Sequence, residues 1–130
     1  LDHANLALHE AGHLLVALFS ERLSVYGGTL LQLLFPALFV RHFYRERQSA
    51  GRAFCEIWLG ENLLNVARYM KDARAQVLPL IGGADHEWTE VFSRWGLLNH
   101  DLVVGSLFQM VGLSVICFAL LHTWRRSCSE

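Results

Sequence analysis

Charge is what this chain has least of. Asp, Glu, Lys and Arg make up 18% of its 130 residues, against roughly 25% in soluble domains. The net charge is -1, so no basic face offers itself to nucleic acid. The three cysteines, Cys55, Cys117 and Cys128, are odd in number and lack C-x-x-C spacing, which leaves neither a disulfide framework nor a thiolate metal cluster. Repeats, low-complexity runs and nucleotide-binding motifs are missing too. No basic stretch precedes the first apolar run, which argues against a cleaved signal, and the first residue is Leu rather than Met. We expect a single domain over residues 1–130 whose natural start lies upstream.

What the chain does have is apolar sequence: 53% of residues are hydrophobic and the mean hydropathy is positive. This points to lipid. Four apolar segments follow one another, so the expected fold is all-α, a polytopic helical membrane bundle of about four membrane segments. The first runs from about Asn5 to Ser20 and is short for a full span. Gly27-Gly28 is expected to break the chain before the second, Thr29 to Tyr44. Pro36 should kink that segment, making a broken or re-entrant hairpin there an open expectation. The third, Ala53 to about Ala75, is the least apolar, and the fourth, Leu102 to Leu121, carries no charge at all.

The connection Arg41 to Arg52 holds four arginines against one glutamate, and Arg125-Arg126 follow the fourth segment. By the positive-inside bias both lie in the cytoplasm, with the loop Gln76 to Asn99 on the other side. In that loop a turn and a short helix, Thr89 to Trp95, are expected, with Trp88 and Trp95 as interface aromatics. His3, His42, His100 and His122 fall at segment ends and suit the headgroup level.

The sharpest signal is His9-Glu10-Ala11-Gly12-His13 inside the first apolar run. Histidines at i and i+4 share a helix face, so His9 and His13 can offer ring nitrogens to one metal ion. Glu10 beside them can take the proton of an attacking water. Zinc suits two imidazoles and keeps one position open for chemistry. The plainer reading is a pair of core histidines satisfied by neighbours, with Glu10 near a helix start.

A third ligand must come from elsewhere. At 100° per residue, Glu61, Asn65, Arg68 and Asp72 form one stripe on the third segment, with Asn62 and Tyr69 at its edge. Polar groups in such a segment should face the bundle interior. Asp72 is the first choice as third ligand and Glu61 the second, while Asn62 and Asn65 could orient an imidazole or hold substrate backbone. Tyr69 or Arg68 could stabilise an oxyanion. Alternatively, Asp72 simply pairs with Arg68, Lys71 or Arg74. In the loop, His86 is a further ligand candidate if the chain folds back, with Asp85 to orient it.

The HEAGH motif with apolar flanks, a Gly-Gly and proline-containing segment, and a polar helix with a late aspartate together resemble the site-2 protease group of intramembrane zinc metalloproteases. The likeness runs from about Asn5 to Asp72. It implies His9 and His13 as zinc ligands, Glu10 as the catalytic carboxylate and Asp72 as third ligand. Here Ala73-Arg74 follow the aspartate where that family has glycine. The chain is also similar to small bacterial membrane proteins sharing the HEAGH, Asp-Ala-Arg and His-x-Trp elements, which implies a bacterial inner membrane but no activity.

The expected function is therefore zinc-dependent hydrolysis of peptide bonds in membrane-associated proteins, with lipid and a peptide substrate as partners. Substrate contact is expected along Gly27-Gly28 to Pro36. The rival readings are a non-catalytic metal-binding membrane protein, a metal-free helical membrane scaffold and a soluble helical metallopeptidase.

Overall fold

The apolar segments become helices, but their ends differ from those the sequence implies. A computed structural model describes residues 2–79 and 86–128, and every regular element among them is helical. In chain order these are α1 (Asp2–Ala17), α2 (Glu21–Arg45), α3 (Ser49–Lys71), α4 (Glu87–Trp95) and α5 (Asp101–Ser127), with a 3-10 turn at Leu98–His100. The all-helical expectation holds. Among the described residues, however, only α2 and the Leu98–Arg125 stretch are long and apolar enough to cross a membrane, so two such helices replace the four expected. With 16 residues, α1 is short of the roughly 20 a span requires. Along α3, Glu56, Glu61, Asn62 and Arg68 interrupt the apolar sequence.

Neither apolar helix is mostly buried inside the protein. Only 28% of the apolar window in α2 and 17% of that in the last helix is buried against the rest of the protein. Leu102, Leu107, Val111 and Leu121 are left exposed.

The chain breaks at residues 18–20, not at Gly27-Gly28, and α2 runs straight through both glycines and Pro36. Glycine inside a helix costs about 1 kcal/mol against alanine, and the reason lies in packing. A Cβ at Gly12 would run into the carbonyl of Gly27, and one at Gly27 into the carbonyl of Gly12. Backbone thus meets backbone, and α1 lies tightly along α2.

A second seam joins α3 to α5. A Cβ at Gly60 would meet Ile116 and lie 3.0 Å from the Gly112 carbonyl, while one at Gly105 would lie 2.9 Å from the Ala67 carbonyl. These pairings run α5 antiparallel to α3. The arginine-rich connection therefore sits beside the far part of α5, where the Arg52 guanidinium lies 5.9 Å from the Phe118 ring centre.

The other end is closed by α4. Val91 and Phe92 are buried there in a cluster with Val66, Met70 and Ala73. Burying Phe92 contributes about 2–3 kcal/mol, the largest single reason this short helix docks. Thr89 donates to the Ala73 carbonyl, and Arg94 donates to the Arg22 carbonyl at 2.7 Å. Gly96, at φ 67, ends the helix so that the Leu97 N–H reaches the Phe92 carbonyl at 2.8 Å. Trp88 packs against the buried cluster, whereas Trp95 stays 54% exposed and stacks on Tyr26.

Candidate metal centre

His9 and His13 do fall one turn apart on α1, and their rings converge. The two Nε2 atoms lie 3.1 Å apart. Glu87, the first residue of α4, brings Oε1 to 2.6 Å from His13 Nε2 and 3.3 Å from His9 Nε2. Bonds of about 2.0–2.1 Å at tetrahedral angles would separate two donors by about 3.3 Å, which the 3.1 Å and 3.3 Å spacings match, while the 2.6 Å between Glu87 and His13 is that of a direct hydrogen bond and must open for an ion to enter. His9, His13 and Glu87 form the one group of three potential ligands among the described residues whose donor atoms all lie within 4.8 Å.

Gly28 makes the room. A Cβ there would fall on His13 Nε2 and 2.6 Å from His9 Cε1. The glycine pair expected to break the chain instead clears the space the two rings occupy.

The outward nitrogens fix the inward ones. His13 Nδ1 lies 2.6 Å from the Ser24 carbonyl, which only accepts, so Nδ1 carries the proton. In the neutral ring, Nε2 then keeps its lone pair. His9 reaches the same state through a longer relay. The Trp58 indole, a donor only, donates to Asn5 Oδ1 at 2.7 Å. The Asn62 amide donates to that oxygen at 3.3 Å and to the Trp58 carbonyl at 2.9 Å, which makes Asn62 Oδ1 an acceptor. Gln32 donates to it at 2.8 Å, so Gln32 Oε1 faces His9 Nδ1, 3.1 Å away, and accepts its proton. The Trp58 end of the relay has unambiguous chemistry, an indole N–H that only donates and a carbonyl that only accepts, and Asn5, Gln32 and Asn62 are all buried.

Two lone pairs and a carboxylate oxygen at this spacing repel unless something positive lies among them. Burial works against charge on His9, yet the hydrogen bond and charge of Glu87, with Gln32 and Glu10, outweigh it and raise its pKa above 6.5. A proton on a ring meets part of that demand, and a divalent cation would meet it at all three groups at once. Glu10 leaves Oε1 buried without a hydrogen-bond partner.

A cavity of about 550 Å³ opens on one side of the centre, lined by His9 and Glu87 together with Glu61, Asn65, Arg68, Tyr69, Asp72 and His86. The polar stripe of α3 thus faces this cavity, though Asn65 and Arg68 remain exposed. Asp72 does not join the imidazoles. Its Oδ1 accepts from the Val77 N–H at 3.1 Å and its Oδ2 from the Leu78 N–H at 3.0 Å, closing the turn after α3. The expected pairing of Asp72 with Arg68, Lys71 or Arg74 is absent as well, Arg74 bonding Asp101 instead. Glu61 and His86 line the cavity outside the ligand group. Asn62 lies behind the centre in the relay, and the Tyr69 hydroxyl donates to the Pro79 carbonyl at 3.2 Å. Glu10 is not among the lining residues. Asp85, with Gly82 and Gly83, lies outside the described residues.

The irregular backbone expected for substrate contact along Gly27-Gly28 to Pro36 does not form, because that stretch is helical. Burial pushes the Cys55 thiol pKa up, as suits an inert side chain. Reading the sequence overlooked Glu87, Gln32, Asn5 and Trp58. Glu87 had one signal: it precedes Val91 by four residues, which puts it on the buried face of α4. No family model matches the chain, and no curated protein or solved structure matches it either.

Proposed function

We propose that this protein is a membrane-embedded, zinc-dependent metallopeptidase acting on membrane-associated proteins or peptides, as its likeness to site-2 proteases implies. The observation that carries the reading is the convergence of His9 Nε2, His13 Nε2 and Glu87 Oε1. His9, His13 and Glu87 would hold the ion, with Glu87 in the place assigned above to Asp72. A zinc ion there supplies a Lewis acid at the cavity wall. Gln32 and the Ser24 carbonyl orient the two imidazoles, which keeps their lone pairs turned inward. Glu10 carries the proton between water and the leaving amine, a role consistent with its free, buried oxygen. Asn65 and Tyr69, on the cavity wall, bind substrate backbone. The exposed apolar faces of α2 and α5 meet lipid. In a bacterial inner membrane the arginine-rich connection and the C-terminus would be cytoplasmic, and the metal centre would lie toward the opposite face.

The test is elemental analysis of detergent-purified full chain beside His13→Ala, Glu87→Gln and Asp72→Asn. Zinc near one per chain in the wild type and in Asp72→Asn, but lost in His13→Ala and reduced in Glu87→Gln, supports the centre. Equal metal in all four removes it.

One observation favours a second reading, a metal-binding protein that hydrolyses nothing: Glu10 lies off the cavity wall. Glu10→Gln separates the two. The peptidase loses cleavage of a quenched-fluorescent peptide while keeping its zinc, whereas the binder shows no cleavage in either form.

A further inference from the structure

Three carboxylates line the cavity beside the metal centre, and two of them are committed. Asp72 accepts from the N–H groups of Val77 and Leu78, and Glu87 faces the imidazoles. Glu61 is different. Its Oε2 is out of reach of solvent with no hydrogen-bond donor, and no ion pair to it forms among the described residues. Asn65 and Arg68 follow it on the same stripe, but Arg68 is seven residues along, about 10 Å of helix rise, and does not bond it. Glu56, five residues earlier on α3, also leaves one oxygen unpaired, yet Arg52 neutralises it at 2.7 Å. Glu61 is thus a carboxylate on the wall of the candidate active cavity with no counter-charge of its own. Oε2 is closed to solvent, so a group in the cavity can meet only the other carboxylate oxygen, and the half-buried charge stays uncompensated until a cation or donor arrives there.

We propose that Glu61 anchors an ammonium group of the bound peptide, so that the site selects substrates carrying a positive charge near the bond to be cut. This rests on the peptidase reading above. The ammonium is either the peptide's own α-amine or a lysine side chain, and the two share the same recognition chemistry: a charge-assisted hydrogen bond to a carboxylate shielded from bulk water. Such bonds change affinity by about 10- to 100-fold.

Four hydroxamate probes, which chelate zinc directly, make the test independent of turnover. These are leucyl-leucyl hydroxamate, its N-acetyl form, N-acetyl-lysyl-leucyl hydroxamate and N-acetyl-norleucyl-leucyl hydroxamate. Their dissociation constants are measured by calorimetry on the detergent-solubilised, zinc-loaded full chain. Wild type should bind one amine-bearing probe at least about tenfold more tightly than its neutral counterpart. The free α-amine or the lysine is identified by which probe gains. In Glu61→Gln that gain should vanish, with zinc content and affinity for the neutral probes unchanged. Equal affinity for all four probes in the wild type overturns the proposal without any variant, as does a preference that survives Glu61→Gln. A wild type that holds no zinc fails earlier, at the metal centre, and takes this inference with it.

Discussion

The two glycine seams use one device for two ends. Along α3 and α5, Gly60, Gly105 and Gly112 let helices approach, and what fills the freed space is aliphatic: Ile116, the stem of Lys71, Leu63 and Leu64. Along α1 and α2, Gly12 and Gly27 do the same backbone work, but Gly28 gives its space to two imidazoles. Small residues in apolar helices therefore do not by themselves mark a site. What marks it is the side chain that takes up the vacated volume.

Swapping alanine into each seam should break the comparison most widely. Gly28→Ala puts a methyl group where His13 Nε2 and His9 Cε1 now lie, so the rings must turn away. Zinc affinity should fall more than about 100-fold, beyond the range seen when outer-shell groups are lost, while circular dichroism still reports helix. Gly60→Ala presses on Ile116 Cγ1 and approaches the Gly112 carbonyl, so the Ile116 side chain must turn and the seam must open slightly. It should cost about 1–3 kcal/mol of stability and leave the zinc content unchanged. Metal lost from both variants, or from neither, would mean that the seams are equivalent.

The next effect separates two acids on α4. Glu87→Gln removes the charge that faces both imidazoles, whereas Glu90→Gln removes an exposed partner of Arg94. Zinc affinity should drop by about tenfold or more in the first and stay within error in the second. Equal losses would mean that α4 contributes field rather than a ligand.

These contrasts also show what the sequence could and could not reveal. His9 and His13 were legible because their partnership is local, one turn of one helix. The cavity-facing stripe of α3 was legible for the same reason, since spacing near 100° per residue is a property of α3 alone. Glu87 was not, because it reaches the histidines across 78 positions from His9, and only the docking of Val91 and Phe92 decides where α4 lies. Asp72 misled because a carboxylate at a helix end serves a turn as readily as an ion. Gly27-Gly28 misled because glycine permits both a break and a close approach, and only the neighbouring helix selects between them. The count of four membrane segments failed on α1, which is short, and on α3, which Glu56, Glu61, Asn62 and Arg68 interrupt.

A graded loss should run along the relay. Gln32→Leu removes the acceptor that holds His9 Nδ1, and the wrong tautomer becomes available to that ring, so zinc affinity should fall about 10- to 100-fold. Trp58→Phe removes a donor three hydrogen bonds further out, and Asn62 keeps its bond to the Trp58 carbonyl, a main-chain group the substitution does not touch. Its effect should be only a few-fold. In nitrogen-15 spectra of metal-free protein, the His9 ring should shift toward mixed tautomers in Gln32→Leu and keep its Nδ1–H form in Trp58→Phe. Equal spectra for both would show that the relay does not set the tautomer.

The smallest effect lies at the far end of α4. Arg94 ties that end to the Arg22 carbonyl at 2.7 Å and pairs with Glu90 at the surface. Exposed ion pairs contribute about 0–1 kcal/mol, and the buried Val91 and Phe92 hold the helix without them. Arg94→Ala should therefore lower zinc affinity by no more than about threefold, because half a kilocalorie of looser docking costs Glu87 only that much occupancy. Phe92→Ala, in contrast, removes the docking itself, with about 3–5 kcal/mol lost, and zinc should go with it. If Arg94→Ala emptied the centre as completely as Phe92→Ala, surface charge and not apolar packing would be what delivers Glu87 to the histidines.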